Sequence, residues 1–192
     1  DSGKAYHLFK DVEFSKLSMS VAPNAIVSMT LSTIGQDLAL GTTAPSGSTY
    51  GSATTTTPLD SFTGSINENG SPIAVVTEIE LNLENGHEAR FIIGDAQTLR
   101  PSIGRSKVSG TVTAYFENTT LLEKFVNETE SSIDFTLTDL DGNSYKFNMP
   151  RIKYTGGQPD VGGEGPITLA MPFQALLDST TGTNLLIERT PA

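Results

Sequence analysis

Alternation of apolar and polar residues with a period of two constrains this chain more than any other feature. The clearest example is the run Glu78, Ile79, Glu80, Leu81, Asn82, Leu83 and Glu84. Such alternation is typical of a strand with one buried face and one exposed face. Asn85 and Gly86 follow at once, and this pair favours a type I′ hairpin turn into residues 87–93. The segment therefore predicts a hairpin whose first strand exposes an acidic face.

The same alternation recurs along the rest of the chain. It predicts strands at 6–14, 25–34, 108–116, 133–137, 145–149, 167–173 and 185–188. The residues between 137 and 145 are rich in turn formers, and Gly142 can adopt a positive φ. With about eight or nine strands, the pattern predicts an all-β fold, either a β-sandwich or a closed barrel.

One segment, 118–128, has helical rather than strand periodicity. Its apolar residues Leu121, Leu122, Phe125 and Val126 recur at helical spacing. Thr120 and Glu123 match a capping box, which marks the start of a helix. A helix this short is marginal alone, so we expect its four apolar side chains to pack on the sheet.

A long segment at about 41–72 is rich in Gly, Ser and Thr and has few apolar anchors. Loops of this length in compact domains are usually functional or interaction segments, or they are disordered. We therefore predict one domain over residues 1–192 that carries this loop. Candidate contacts with a neighbouring subunit are Thr49, Tyr50, Thr54 and Thr57. The chain begins at Asp1 rather than Met, which leaves open an N-terminal region ahead of the printed residues.

The charge of the chain is acidic, with 22 Asp and Glu against 12 Lys and Arg and a formal net charge of −10. Binding of nucleic acid needs clustered basic residues, so this balance argues against such a role. The chain has no Cys, which excludes disulfides and Cys-based zinc sites. It contains neither an apolar run long enough for a membrane helix nor a secretory signal, which predicts a protein made in the cytoplasm.

The sequence contains no convincing catalytic, cofactor or metal motif. The two histidines have no nucleophile elbow near them, and the Gly-rich run at 156–165 lacks the Gly-Lys-Ser/Thr of a phosphate loop. Asp139, Asp141 and Asn143 match only part of a calcium-loop spacing, without the closing Glu. We predict a non-enzymatic protein with no cofactor and no metal.

The order of these elements resembles the tail tube proteins of siphophages, the long-tailed bacteriophages. The resemblance depends on the strand 108–116, the helix at 121–126, the hairpin around Asp141 and Gly142, and the closing stretch 150–176.

The resemblance implies a β-sandwich or barrel flanked by a helix, in a structural virion protein assembled in the host cytoplasm. Subunits of this family form hexameric rings, or trimeric rings when each chain has two tube domains, and the rings stack into the tail tube. The implied partners are other copies of the chain, the tape measure protein, and the tail terminator and distal tail proteins. DNA would pass through the lumen without specific binding. The acidic face of Glu78, Glu80 and Glu84 would line the lumen or the outer surface.

Two other classes of protein stay open at this point. A carbohydrate-binding or adhesin-like β-sandwich would also be Thr-rich and free of Cys, but it would expose aromatic rings, and this chain has no Trp. A hydrolase would use a carboxylate pair such as Glu78 and Glu80. Nothing beyond the abundance of acids favours an enzyme.

Overall fold

The computed structural model describes residues 5–49, 51–59, 65–73, 75–95, 97–102, 104–160 and 165–192. They form fifteen strands and one short helix, α1 (Thr120–Val126). The strands, in chain order, are β1 (Tyr6–Lys10), β2 (Glu13–Val21), β3 (Ser28–Ile34), β4 (Asp37–Gly41), β5 (Ser65–Glu68), β6 (Ser71–Pro72), β7 (Val76–Glu84), β8 (Glu88–Phe91), β9 (Thr98–Ser102), β10 (Lys107–Tyr115), β11 (Glu130–Thr138), β12 (Ser144–Tyr154), β13 (Gln158–Asp160), β14 (Thr168–Ala175) and β15 (Leu186–Thr190).

Eleven of the strands form one large sheet, which confirms the all-β prediction. The order across it is β3-β2-β7-β10-β14-β12-β11-β5-β6, with β13 beside β14 and β15 beside β12. Two further pairs stand apart as two-stranded sheets, β1 with β4 and β8 with β9. The described strands outnumber the predicted eight or nine because several are only two to five residues long.

The residues cluster into two compact units along the chain. Unit 1 comprises residues 1–17, 31–55 and 84–106, and unit 2 comprises residues 18–30, 56–83 and 107–192. All but one of the buried apolar side chains belong to unit 2. The hydrophobic core described here is therefore the core of unit 2.

The core of unit 2 follows the alternation in the sequence. On β10, Val108, Val112 and Ala114 are buried, as predicted. On the neighbouring strands β11 and β12, Phe135 and Phe147 face each other and stack at a centroid distance of 5.0 Å. Burial of one face of each strand supplies most of the hydrophobic stabilisation.

The predicted hairpin of β11 and β12 is confirmed, and a buried carboxylate shapes its turn. Asp139 accepts hydrogen bonds from the backbone N–H groups of Asp141 (3.0 Å) and Asn143 (2.8 Å) and from the Asn143 side chain (2.8 Å). These hydrogen bonds hold the pKa of Asp139 below its usual range. Gly142 adopts a φ of +93°, which suits glycine at this turn. The partial calcium-loop spacing is thus a turn motif.

A cavity of about 440 Å³ shows how the large sheet curves. Its walls include β2 and β7, near one end of the strand order, and β5, β6 and β11, near the other end. A flat sheet would separate these strands by several positions. The sheet therefore folds over itself, in agreement with the predicted sandwich or barrel architecture.

The predicted hairpin after Glu84 is wrong. Strand β7 pairs within the large sheet, and β8 pairs with β9 instead. Asn85 donates hydrogen bonds from its backbone N–H to the Ser15 carbonyl (2.9 Å) and from its side chain to the Phe14 carbonyl (2.9 Å). These two hydrogen bonds attach Asn85 to β2. Of Asn85 and Gly86, only Gly86 has a positive φ. A type I′ turn needs positive φ at both residues.

The helix is confirmed, but two details of the prediction are wrong. The N-cap residue is Thr119 rather than Thr120, and its hydroxyl donates to the Glu123 carboxylate at 2.6 Å. Leu121, Leu122 and Phe125 are half-buried, whereas Val126 is exposed. Val126 is the last helical residue, and at 68% exposure it is not a packing residue.

Candidate assembly surface

The first part of the candidate surface is the β1–β4 ribbon, in which β1 pairs antiparallel with β4. His7 lies opposite Leu40 and Phe9 opposite Leu38, so these four side chains share one face. All four are exposed, with Phe9 at 63% and Leu40 at 70% of full exposure. The ribbon therefore presents an apolar face that the described residues leave uncovered.

Polar contacts at one end fix the shape of this ribbon. The ammonium group of Lys10 lies 3.0 Å from the carboxylate of Asp37, directly across the pair. This hydrogen bond from Lys10 holds the pKa of Asp37 below its usual range. Gln36 donates its backbone N–H to the Lys10 carbonyl at 3.0 Å. These contacts fix the end of the ribbon that carries the apolar face.

The second part of the candidate surface is the hairpin of β8 and β9. Thr98 is buried where β9 begins, directly opposite Phe91, and its hydroxyl accepts from the Arg90 N–H (2.8 Å) and donates to the Arg90 carbonyl (2.9 Å). The apolar tip, defined here as Phe91, Ile92 and Ile93, lies at this same turn end of the hairpin. All three tip residues are exposed, and Ile93 is fully so.

An ion pair ties this hairpin to β2. The Arg100 guanidinium donates to the Glu13 carboxylate from Nε (3.0 Å) and Nη2 (2.5 Å). The hydrogen bonds and the opposite charge lower the pKa of Glu13 and raise the pKa of Arg100. The pair lies at the surface, so its main effect is on orientation rather than on stability.

The acidic face predicted on β7 is present in the structure. Ile79 and Leu81 are buried, while Glu80 and Glu84 are exposed and Glu78 is half-buried. Glu78 accepts a hydrogen bond from the Ser20 hydroxyl at 3.2 Å, and Glu84 lies 3.3 Å from the Lys16 ammonium.

Within the described residues, no group of three or more His, Cys, Asp or Glu side chains is arranged to hold a metal ion. None of the helices in the described part of the chain is long and apolar enough to cross a membrane.

Comparison with known families decides the class of protein. The family model described as phage tail tube protein matches residues 1–175. The chain belongs to the phage tail tube protein family. It is thus a structural component of a bacteriophage tail, and its family membership implies self-assembly into a tube. A search of curated proteins gives no significant match.

The loop of this tail tube protein differs in part from the prediction. Within 41–72 the structure places a small hairpin of β5 and β6, so the irregular part described is 42–49 and 51–59. Thr49 and Thr54 are exposed, and the half-buried Thr57 accepts a hydrogen bond from the Leu140 N–H at 3.3 Å. Tyr50 lies outside the described residues. The contact role of these four residues stays a prediction.

Sequence reasoning missed the two apolar parts of the tail tube protein's surface. Their signal was present, because Leu8 and Phe9 are adjacent on β1 and Phe91, Ile92 and Ile93 are consecutive. Adjacent apolar residues on a strand point to opposite faces, so both cannot enter the same core. Such a strand indicates either a fully buried sheet or a contact with another molecule.

Proposed function

We propose that this chain is the major tail tube subunit and that it polymerises as stacked rings of six copies, or of three, around a DNA-conducting channel. The role is structural and involves no catalysis. The observation that carries the proposal is the exposed apolar surface of unit 1 on a member of a tube-forming family.

The energetics of unit 1 support assembly. Unit 1 contributes one buried apolar side chain, Leu17, to the described core, while the ribbon face and the apolar tip stay in water. A two-stranded ribbon is marginally stable alone, and large exposed apolar patches usually mark interaction sites. Covering these side chains gains about 25 cal/mol for each Å² removed from water. Neighbouring copies are the covering surface that the family implies.

The acidic face of β7 is our candidate for the lumen lining. Carboxylates at Glu78, Glu80 and Glu84 would repel the phosphates of passing DNA over a distance of about 8 Å at physiological salt. The net charge of −10 supports passage without binding. Family membership also favours a tube role over the carbohydrate-binding alternative.

Further partners in the proposal are those that any tail tube needs. The tape measure protein would occupy the lumen during assembly, and the tail terminator and distal tail proteins would cap the two ends. We propose that these contacts form in the host cytoplasm.

Negative-stain electron microscopy across a protein concentration series tests the proposal. We expect annular particles at low concentration and hollow tubes at high concentration, and averaged ring views would count the copies. A chain that stays monomeric at every concentration would contradict the proposal.

Leu40→Asp tests whether the ribbon face is the assembling surface. Leu40 is exposed in the single subunit, so we expect the variant to fold normally but to fail to form tubes, because a carboxylate would enter an apolar contact. Leu140→Asp is the matched control, since Leu140 is similarly exposed at 78% but lies in the β11–β12 turn of unit 2. Equal assembly of the two variants would exclude the ribbon face.

A further inference from the structure

We propose that the apolar tip of one copy inserts into the cavity of unit 2 of a neighbouring copy. The inference rests on the proposed function, because it names the contact partner that polymerisation would use. The tip is Phe91, Ile92 and Ile93, and the receiving site is the cavity of about 440 Å³ between β2, β5, β6, β7 and β11.

The cavity is suited to apolar side chains. Its apolar lining residues include Val21, Ile66, Ile73, Ile79, Phe135 and Leu137. A dry cavity of about 150 Å³ in a protein core accommodates a benzene molecule. At about 440 Å³, this cavity has room for roughly three groups of that size. The tip offers one aromatic and two branched aliphatic side chains.

The polar groups near the cavity have partners of their own in the structure. The Asn67 side chain donates to the Asp134 carboxylate at 2.9 Å, and Glu78 accepts from the Ser20 hydroxyl at 3.2 Å. An entering apolar group therefore does not leave these two side chains without a hydrogen bond, which would be costly in a dry site.

Hydrogen bonds fix the chain on both sides of the tip. Asp95 accepts a hydrogen bond from the Gln97 N–H at 3.0 Å across the turn, and Thr98 makes two hydrogen bonds to Arg90. Gly94 adopts a φ of +93°, which bends the chain there. Fixed flanks reduce the conformational entropy that the tip loses on insertion, which favours binding.

The charges of the two surfaces also match. Within 84–106 the three acids are balanced by three bases, Arg90, Arg100 and Arg105, whereas the whole chain carries −10. This segment can approach a second acidic copy without net repulsion. Among the described residues that line the cavity, Glu78 is the one charged side chain, and Arg90 flanks the tip.

A tip on one copy and a cavity on the next make a heterologous contact. Such contacts repeat from copy to copy and generate closed rings or open filaments. A single contact of this kind gives one of the two outcomes, so the stacking of rings into a tube would use a second contact in addition.

Cross-linking tests the contact, because the natural chain has no Cys. Ile93→Cys is mixed with a size-tagged Ser65→Cys chain, since Ser65 is an exposed residue at the cavity. The mixture is assembled and treated with a short thiol cross-linker. We expect a mixed covalent dimer on a non-reducing gel. Ser179→Cys replaces Ser65→Cys in the matched control, because Ser179 lines a different, more polar depression.

The outcomes separate the two proposals. A mixed dimer with Ser65→Cys and none with Ser179→Cys supports insertion of the tip. Tubes in the microscope without that dimer would overturn the insertion and leave the tube function standing. Failure of the unmodified chain to assemble would count against both.

A substitution gives an independent measurement. Ile93→Asp would bring an unpaired carboxylate into the apolar cavity, so we expect it to raise the protein concentration needed for assembly about tenfold or more. Folding should be unchanged, since Ile93 is fully exposed in the subunit. Leu177→Asp is the control, since Leu177 is likewise an exposed aliphatic residue. An unchanged assembly threshold for Ile93→Asp would contradict the inference.

Discussion

Gly110 marks a close approach of backbone to side chain in the core of unit 2. It lies on β10 opposite Phe173 of β14. A Cβ at this position would lie 2.6 Å from Cζ of Phe173 and would also clash with the Glu80 carbonyl. We predict that Gly110→Ala lowers the free energy of unfolding by about 1–3 kcal/mol, because the packed core must shift. Chemical denaturation of the unassembled chain measures this value.

Gly51→Ala is the control for that prediction. No other heavy atom would lie within 4 Å of a Cβ on Gly51. Ala at this open position restricts the unfolded chain and should not destabilise the fold, so a loss of stability as large as that of Gly110→Ala would show that close packing is not the cause at Gly110. The requirement for glycine at 110 was not predictable, because alternation shows which face a residue occupies but not how near the opposing side chain comes.

At the scale of elements, helix α1 is held by a charge cluster. Lys124 lies 2.5 Å from the Glu68 carboxylate on β5, and the Ser131 hydroxyl donates to the same group. Glu68 is only 6% exposed. We predict that Lys124→Met lowers the free energy of unfolding by about 3 kcal/mol, because it leaves a buried carboxylate without its cation.

The double variant Glu68→Gln with Lys124→Met is the companion measurement. Removal of both charges should restore part of the lost stability, so the two effects should not add. Thermal unfolding followed by circular dichroism compares the single and double variants. Additive losses would mean that the two side chains do not interact as the structure describes.

Deletion of Thr49–Thr57 tests the loop as an assembly element. We expect a folded chain that no longer forms tubes, because the deletion removes predicted inter-subunit contacts while the strands remain. A Gly/Ser linker of equal length in place of 49–57 separates the effect of loop sequence from that of loop length. Normal tubes from both variants would exclude an assembly role for the loop.

Elements with long, regular alternation were predictable and short ones were not. β10, β11 and β14 each bury one parity of their residues, and each was predicted within about three residues of its observed bounds. β12 was predicted only as 145–149 and extends to Tyr154, and its buried parity changes after Met149. β5, β6 and β9 have too few residues for a period to show. The pairing after Asn85 failed for another reason, because it depends on hydrogen bonds to β2, about seventy residues earlier in the chain.

For the whole molecule, carboxylates with lowered pKa values make stability depend on pH. Hydrogen bonds from Arg100 and Arg151 lower the pKa values of Glu13 and Glu130 from the usual 4.5. The hydrogen bonds that Asp139 accepts within its turn lower the pKa of that carboxylate as well. A carboxylate whose pKa is lower in the folded state than in the unfolded state stabilises the fold at pH values above its unfolded-state pKa. This contribution is lost as the pH falls through the folded-state pKa. We predict a nearly constant unfolding temperature from pH 7 to about 5 and a decline below about 4.5.

Calorimetry of the unassembled chain checks that prediction. Glu130→Gln should weaken the decline slightly, because Glu130 is an exposed partner of Arg151 and contributes little. A rise in unfolding temperature on acidification would mean that relief of the −10 net charge outweighs these local contacts.

The sequence predicted the architecture of unit 2 better than that of unit 1. Unit 2 has a core of its own, so burial imposes a regular alternation on its strands. Unit 1 has apolar residues on both faces of β1 and at the tip of β8, and this pattern has no explanation within a single chain. The sequence therefore signals apolar side chains that have no place in a single core, and the fold shows which of them stay uncovered.

The position of β14 in the sheet has a consequence for biosynthesis. β14 pairs with β10 and β12 and ends at Ala175, so the sheet of unit 2 cannot close until most of the chain has left the ribosome. β1 and β4 are complete by Gly41. At a synthesis rate of about 5–20 residues per second, the apolar ribbon is complete on the order of ten seconds before β14 has been synthesised. During that interval the nascent chain is vulnerable to aggregation, and its yield in cells should depend on chaperones and on growth temperature.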